Sequence, residues 1–381
     1  MKFKRTVFVF ALCILFLICY THMASKIDPF ARYSYINEEN EEIIRKYITK
    51  PEDIDYIISL KIEPSSFLDF IELPNFKVKN ILFYEACKNY RPRDNQEIID
   101  FVNTYKDGYS IVNFELLIQN YTYETLIDYL EHGYAYFEDA TLVINPSRLS
   151  LILDDDDVLM NYEPIDLIPV EPTLIQIAPE IIGQEPIYLR EQAYISLKGM
   201  MEAFAKEDYE LYKTLVLSSG YIRYEKQVEL YEEASKRYDE ELIVKDALNN
   251  EEVLQEEAEE ESEEFKKEDR ELSEEEKEQI KAEELDKIIS LPGRSENQLG
   301  YTITLRINDI SDIEAIEKSK QYQWLSEHAH EFGFIFRYPK DKENITNKTY
   351  QVLTLRYVGI ENATEIYKSK KAFEEIKAKD E

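Results

Sequence analysis

Two segments in the last third of the chain restrict its fold more than any other feature. Residues 291–307 read L-P-G-R-S-E-N-Q-L-G-Y-T-I-T-L-R-I, and residues 350–359 read Y-Q-V-L-T-L-R-Y-V-G. Each contains a run rich in β-branched and aromatic residues, which is typical of a β-strand. We therefore predict one strand over residues 298–307 and another over residues 351–358.

The two segments resemble the metal-binding motifs of the zinc D-alanyl-D-alanine carboxypeptidases of the vancomycin-resistance (VanY-like) type. In that family the first motif reads S-x-H-x-x-G-x-A-x-D and the second reads E-x-x-H-L-R-Y-V-G. The matching positions form the frame of the motifs: Ser295, Glu296, Gln298, Gly300, Leu355, Arg356, Tyr357, Val358 and Gly359. The resemblance implies an α+β fold, in which a helical N-terminal domain precedes an antiparallel-sheet DD-peptidase/hedgehog-like domain with flanking helices.

The positions that carry the chemistry of the family hold neutral residues in this chain. The resemblance aligns the metal-binding His and Asp of the first motif with Asn297 and Thr304. It aligns the general-base Glu and the metal-binding His of the second motif with Gln351 and Thr354. Zinc is held by His, Cys or carboxylate ligands, and a glutamine has no basic form that could take a proton from water. We therefore predict degenerate positions with no catalytic residue, no metal ligand and no cofactor.

A third motif is altered in the same way. Residues 219–227 read S-G-Y-I-R-Y-E-K-Q and resemble the S-G-Y-R-S-Y-x-x-Q of the family. The resemblance implies an arginine in the active-site cleft, and this position is Ile222. Arg223 comes one residue late, so we expect its side chain to point elsewhere. Ser219, Tyr221 and Gln227 match the motif, and together with Ile222 they are the predicted residues of a degenerate binding cleft.

A metal site rebuilt from other residues is the alternative to a lost one. The chain has only four histidines, which are His22, His132, His328 and His330. The last two are separated by one residue on a predicted helix, so they face different sides of it. Zinc is expected only if the chain is an active enzyme with such a divergent site.

The chain is predicted to have four parts. Residues 1–24 combine a basic start with an apolar run, as a signal anchor or a signal peptide does. Residues 28–140 are predicted to form a helical domain, and residues 141–187 an extended, proline-containing connector. Residues 188–377 form the carboxypeptidase-like domain, interrupted by an acidic insert at 248–286. The insert is predicted to be a solvated segment, an electrostatic arm for a basic partner or a gate over the cleft.

The acidic net charge of the chain and its basic N-terminal start limit the partners and the location that the sequence predicts. The formal net charge of −33 argues against nucleic acid, because phosphate contacts need clustered Lys and Arg. The basic start predicts a single-pass protein of a bacterial cell membrane whose C-terminal region faces outward, with secretion as the alternative.

Three functions remain open from the sequence. The leading hypothesis is a catalytically inactive D-alanyl-D-alanine carboxypeptidase-like envelope protein that binds peptidoglycan stem peptides or a protein partner. The alternatives are an active cell-wall carboxypeptidase with a divergent site and a membrane-anchored scaffolding protein.

Overall fold

The structure is a computed structural model of the 381-residue chain. It describes residues 10–19, 28–153, 156–180, 185–239, 274–308 and 310–376. The chain divides into two compact units, Met1–Thr122 and Tyr123–Glu381. The predicted domain limits at 28, 140 and 187 remain predictions.

The first unit is helical. Its core contains fully buried apolar side chains such as Ile44, Ile57 and Phe67. Asp94 and Ser110 stabilise the starts of two helices, because each side chain accepts a hydrogen bond from a free backbone N–H of the first turn. The helices are α1 (residues 10–19), α2 (Glu41–Tyr47), α3 (Pro51–Ser59), α4 (Ile81–Tyr90), α5 (Asn95–Tyr105) and α6 (Ile111–Asn120), with 3₁₀ turns at Pro64–Ser66 and Val78–Asn80.

The prediction of a single-pass cell-membrane protein is wrong. Of the helices in the described residues, none combines the length and the apolar character needed to cross a membrane. A span needs about 20 residues, because the hydrocarbon core is about 30 Å thick. Helix α1 is described over residues 10–19 only, and the rest of the predicted anchor, residues 1–9 and 20–24, lies outside the described residues.

The second unit is organised around a five-stranded sheet of order β4-β6-β7-β9-β8. Strand β4 pairs with β6 in parallel, and the other neighbours are antiparallel. Two small pairs, β1 with β2 and β3 with β5, complete the strands. The strands are β1 (Thr141–Leu142), β2 (Asp157–Val158), β3 (Leu167–Pro169), β4 (Gln176–Ile177), β5 (Tyr188–Arg190), β6 (Leu215–Ser219), β7 (Thr302–Ile307), β8 (Phe334–Phe336) and β9 (Thr354–Tyr357).

Helices surround this sheet, so the predicted combination of N-terminal helices with a C-terminal sheet domain is confirmed. Trp324 anchors α13, because its ring stacks on Phe204 of α8 at 4.3 Å and its indole N–H donates to Glu207 at 2.8 Å. The helices are α7 (Tyr123–His132), α8 (Glu191–Glu207), α9 (Tyr209–Tyr212), α10 (residues 224–239), α11 (Glu274–Asp286), α12 (Ile313–Glu317), α13 (Lys320–His328), α14 (Glu343–Thr346) and α15 (Ile360–Ser369), with 3₁₀ turns at Glu296–Leu299, Ala329–Phe332 and Phe373–Glu375.

A glycine permits the close approach of the chain before β8 to the start of α15. Gly333 has a φ of +79°, and a Cβ there would lie 2.7 Å from the Tyr357 ring and 3.0 Å from the backbone of Gly359. Gly333→Ala should therefore lower the free energy of unfolding by about 1–3 kcal/mol. Gly199→Ala is the control, since a Cβ there makes only an ordinary contact with Phe332 at 3.5 Å. It should stabilise helix α8 by about 0.5–1 kcal/mol, and urea unfolding measures both values. A Gly333 variant as stable as wild type would contradict the argument.

Candidate functional site

The two motif strands are neighbours in the sheet, and this brings two of the degenerate positions together. Thr304 of β7 lies directly opposite Thr354 of β9, and their hydroxyl oxygens are 3.3 Å apart. Ser219, at the end of β6, pairs with Thr304 from the other side. Thr354 is buried and Thr304 is half-buried. The centre of the site is therefore a pair of neutral hydroxyls that hydrogen-bond each other.

Asn297 joins this centre from the 3₁₀ turn that precedes β7. Ser295 caps the turn, because its hydroxyl accepts a hydrogen bond from the Asn297 N–H at 3.3 Å. The Asn297 amide nitrogen donates to the Gly220 carbonyl at 2.9 Å and lies 3.5 Å from the Ser219 hydroxyl. The Asn297 carbonyl in turn accepts from the Ile222 N–H at 3.3 Å. The first and third predicted motifs thus meet at Asn297.

Gln351 lies in the turn that leads into β9. Its backbone N–H donates to the Tyr338 carbonyl at 3.1 Å, and its carbonyl accepts from the Thr354 N–H at 3.5 Å. The residue is half-buried. A neutral amide therefore occupies the predicted general-base position, one turn of chain before Thr354.

The charged residues of the frame form a buried ion cluster. Both carboxylate oxygens of Glu296 accept hydrogen bonds from Arg337, at 2.7 and 2.8 Å, and Arg356 lies 2.7 Å from the same carboxylate. Arg337 also donates to Glu374 at 2.6 Å. Burial by itself would raise the pKa of the Glu296 carboxyl. The two guanidiniums lower it by a larger amount, so the pKa falls to about 2. The ionised Glu296 carboxylate and the Arg356 side chain therefore hold the two motif segments together.

The other frame residues also support the backbone. The Gln298 amide donates to the carbonyls of Met160 and Tyr162 at 2.7 and 3.0 Å. Gly300 ends the 3₁₀ turn with a φ of +75°, and a Cβ there would lie 2.8 Å from Arg190. The residues that match the family motifs thus maintain the fold. The residues that differ stand at the positions where the family motifs have metal ligands and a general base.

The residues of the third motif make hydrogen bonds and ion pairs with segments on either side of the predicted cleft position in the sequence. Tyr221 donates its N–H to the Tyr188 carbonyl at 2.8 Å, and burial raises the pKa of its phenol. Gln227 is buried, and its amide donates to the Ser290 carbonyl at 2.6 Å. Arg223 is half-exposed and pairs with Glu185 at 2.8 Å. Tyr221 and Gln227 therefore hold neighbouring backbone in place, and their role in binding remains a prediction.

The residues at this centre do not fit zinc. Three neutral side chains, Asn297, Thr304 and Thr354, occupy the ligand positions, and none supplies an imidazole or a carboxylate. The Asn297 amide nitrogen is a donor that is already bound to the Gly220 carbonyl. Across the described ranges, no three His, Cys, Asp or Glu side chains come together in a group that could hold a metal ion.

The histidines are engaged elsewhere. His132 contacts Asp128 at 3.1 Å, and His328 contacts Glu331 at 3.4 Å. His330 stacks on the Tyr367 ring, with 3.7 Å between the ring centroids. His22 lies outside the described residues. These contacts do not support a metal site rebuilt around His328 and His330.

The end of the predicted acidic insert contacts the loop before Gln351. Lys348 pairs with Asp286 at the end of α11 at 2.9 Å, and burial lowers the pKa of this lysine. The Thr349 N–H donates to the Lys287 carbonyl at 2.8 Å. Residues 248–273 of the insert lie outside the described residues, so its predicted role as an arm or a gate remains a prediction.

A surface pocket of about 430 Å³ does not coincide with the predicted site. Arg148, Asp166, Arg190 and Tyr301 are among its lining residues. The Arg190 guanidinium donates to Asp166 at 2.8 Å and lies over the Tyr301 ring at 4.9 Å. None of the predicted site residues lines this pocket, so it has no part in the function proposed below.

Sequence reasoning missed Arg337, which is the main partner of Glu296. The two residues are 41 positions apart, and no local pattern marks Arg337 as buried. It also missed Arg306 on β7. The alternation of side chains along a strand could have found Arg306, because every second residue faces the same side.

Comparison with known proteins finds similarity between this domain and D-alanyl-D-alanine carboxypeptidases. Residues 186–360 match the family model described as VanY: D-alanyl-D-alanine carboxypeptidase. The chain is 30% identical over 221 residues to YodJ of Bacillus subtilis (strain 168), provisionally described as a carboxypeptidase, covering 56% of this chain and 62% of the relative. It is 42% identical over 89 residues to a D-alanyl-D-alanine carboxypeptidase of Enterococcus faecalis (strain ATCC 700802 / V583), covering 23% of this chain and 31% of the relative.

Among solved structures, the LdcB LD-carboxypeptidase is similar at 25% identity and a TM-score of 0.45, over 63% of this chain and 90% of that one. The similarity to this family rests on the sequence matches. Residues 186–360 of this chain match the VanY family model, which confirms the resemblance of its motifs. The chain spans less than two thirds of the length of the two curated relatives, 62% and 31%.

Proposed function

We propose that this protein is a cell-wall protein that has lost metal-dependent hydrolysis and binds the D-alanine end of peptidoglycan stem peptides. The observation that carries the proposal is the hydroxyl pair of Thr304 and Thr354, 3.3 Å apart at two ligand positions of the family motifs. Asn297, at the third position, is hydrogen-bonded to the strand end beside them.

The loss of hydrolysis follows from the chemistry of these side chains. A catalytic zinc lowers the pKa of its bound water to about 7, and this requires ligands that hold the metal. Thr and Asn offer no anionic or imidazole donor. The Gln351 amide cannot act as a general base, since it has no accessible basic form. Enzymes lower the barrier by roughly 8–23 kcal/mol, and binding contacts alone would supply little of this.

The frame supports binding without catalysis. The buried cluster of Glu296, Arg337 and Arg356 keeps the first two motif segments together, and the Asn297 amide joins the third segment at the Gly220 carbonyl. The centre itself offers hydroxyl and amide groups, which can exchange hydrogen bonds with a peptide backbone. The family description names D-alanyl-D-alanine as the bond that its enzymes act on, which makes a peptide with this end the natural ligand to test.

The experiment is a titration of the purified full chain with diacetyl-L-Lys-D-Ala-D-Ala, with and without added zinc. We expect binding with a Kd of about 0.1–1 mM, corresponding to roughly −4 to −5.5 kcal/mol. No free D-alanine should be released under either condition, and zinc should not change the affinity. The same peptide ending in L-Ala-L-Ala is the control.

Two results would contradict the proposal in different ways. Release of D-alanine that a chelator abolishes would favour an active metallopeptidase with a divergent site. Equal or undetectable binding of the D and L peptides would favour a protein partner instead of a wall peptide.

A further inference from the structure

Arg306 lies on the same side of strand β7 as Thr304. Side chains alternate along a strand, so residues two positions apart share a face, with Cα atoms roughly 7 Å apart. Thr304 lies opposite Thr354 of β9, and Arg306 lies opposite Val216 of β6. The β6–β7 pairing is irregular between Leu217 and Ser219, but the extra residue is on β6, so consecutive residues of β7 still alternate. An arginine side chain is long enough to bridge this separation. Its guanidinium can therefore reach a ligand seated at the hydroxyl pair.

Arg306 differs from three other arginines near the motifs. Arg337 and Arg356 are 3% and 0% exposed and are bound to Glu296. Arg223, which follows the position of the cleft arginine in the family motif, pairs with Glu185. The Arg306 side chain is 48% exposed, so a ligand can reach it from solvent.

An internal carboxylate already contacts Arg306. Glu180, which follows β4, forms an ion pair with the guanidinium, and its side chain is 58% exposed. A hydrogen bond from its own backbone N–H and the contact with Arg306 lower the pKa of the Glu180 carboxyl, so it is ionised at neutral pH. Exposed ion pairs of this kind stabilise a protein little. A carboxylate from outside could therefore replace Glu180 at small cost.

We propose that Arg306 binds the terminal carboxylate of the ligand in this cleft, and that Glu180 competes with the ligand for the same guanidinium. This inference rests on the proposed function. A peptide that ends in a free carboxylate would place that group on Arg306 and its last amide beside the hydroxyls of Thr304 and Thr354. Arg306 would thus supply the positive charge that Ile222 does not.

Arg306→Gln tests the inference with diacetyl-L-Lys-D-Ala-D-Ala and its C-terminal amide as probes. Hydrogen bonds between charged groups are the strong ones, so the variant should weaken binding of the free acid about tenfold or more. Wild type should bind the amide about as weakly as the variant binds the acid. Glu180→Gln should strengthen binding of the acid about two- to fivefold, because it removes the competing charge.

The matched control is the pair of Arg223 and Glu185, which has nearly the same exposure, 50% and 70%, but joins two residues outside strand β7. Arg223→Gln and Glu185→Gln should leave the affinity within about twofold of wild type. Thermal unfolding of every variant checks that the fold is retained.

The outcomes separate the two proposals. If wild type binds neither peptide, the proposed function fails and this inference fails with it. If wild type binds the acid and the amide equally and Arg306→Gln changes nothing, the cleft binds peptides but Arg306 does not hold their carboxylate. An equal loss in Arg223→Gln would also overturn the inference, because the effect would then be general surface charge.

Discussion

Glu296→Gln should lower the free energy of unfolding by about 3–5 kcal/mol, which is the typical cost of leaving a buried charge without its partner. The substitution keeps the shape of the side chain but removes the anion between Arg337 and Arg356, which are 3% and 0% exposed. Arg337 would keep Glu374 at 2.6 Å, whereas Arg356 would lose its carboxylate. Urea unfolding followed by the fluorescence of Trp324, the single tryptophan, reports on the unit that contains this cluster.

The control for this prediction is Glu185→Gln, which breaks the exposed pair with Arg223 and should leave the free energy of unfolding nearly unchanged. A loss below about 1 kcal/mol in Glu296→Gln as well would mean that the buried cluster does not hold the motif segments together.

The same cluster predicts how stability depends on pH. The pKa of Glu296 is about 2 in the folded chain, below its ordinary value of 4.5. The unfolded state therefore binds the proton more readily than the folded state. The ionised Glu296 carboxylate makes its full contribution to the free energy of unfolding above about pH 4.5, and this contribution is lost as the pH falls toward 2. The contribution of Glu296 amounts to about 3 kcal/mol. The difference in stability between wild type and Glu296→Gln should shrink over this interval in urea titrations, and a difference independent of pH would contradict the assignment.

Restoring the family residues should restore zinc binding. The variant that combines Asn297→His, Thr304→Asp, Thr354→His and Gln351→Glu should hold about one zinc per chain. Mutating residues that only support the metal ligands already alters metal affinity roughly 10–100-fold. Regaining the three ligands themselves should therefore raise the affinity for zinc more than about 1,000-fold. The geometry supports this, because the hydroxyls of Thr304 and Thr354 are already 3.3 Å apart. Elemental analysis after dialysis and calorimetric titration measure the gain.

Three partial variants serve as controls, each lacking one of the three ligand substitutions. Each should bind zinc much more weakly than the full variant, because an open catalytic site already uses only three protein ligands. A full variant that retains its tryptophan fluorescence but binds no zinc would show that the three positions do not converge on one metal site.

Much of the sheet was predictable from local sequence. The β-branched runs indicated β7 and β9, which the structure describes as Thr302–Ile307 and Thr354–Tyr357. A glycine in the first motif, Gly300, coincides with a left-handed turn at φ +75°, a conformation that side chains disfavour. Strand propensity and turn chemistry act over a few residues, so they can be read without the fold.

Contacts between distant segments were not predictable in this way. Arg337 gives no local sign that it binds Glu296, because its burial depends on how strands β8 and β9 meet the 3₁₀ turn before β7. The ion pair of Arg306 with Glu180 likewise joins residues 126 positions apart. The apolar run near the N-terminus predicted a membrane span, yet the described residues contain no helix suited to one.

The sequence by itself determined the chemistry available at the four altered positions. No fold can turn the neutral side chains of Asn297, Thr304, Thr354 or Gln351 into a carboxylate or an imidazole. Only the tertiary structure decided that Asn297, Thr304 and Thr354 gather around the end of β6, and that Arg306 meets Glu180. The reason is that side-chain chemistry is a property of each residue, whereas proximity arises from the pairing of strands far apart in the chain.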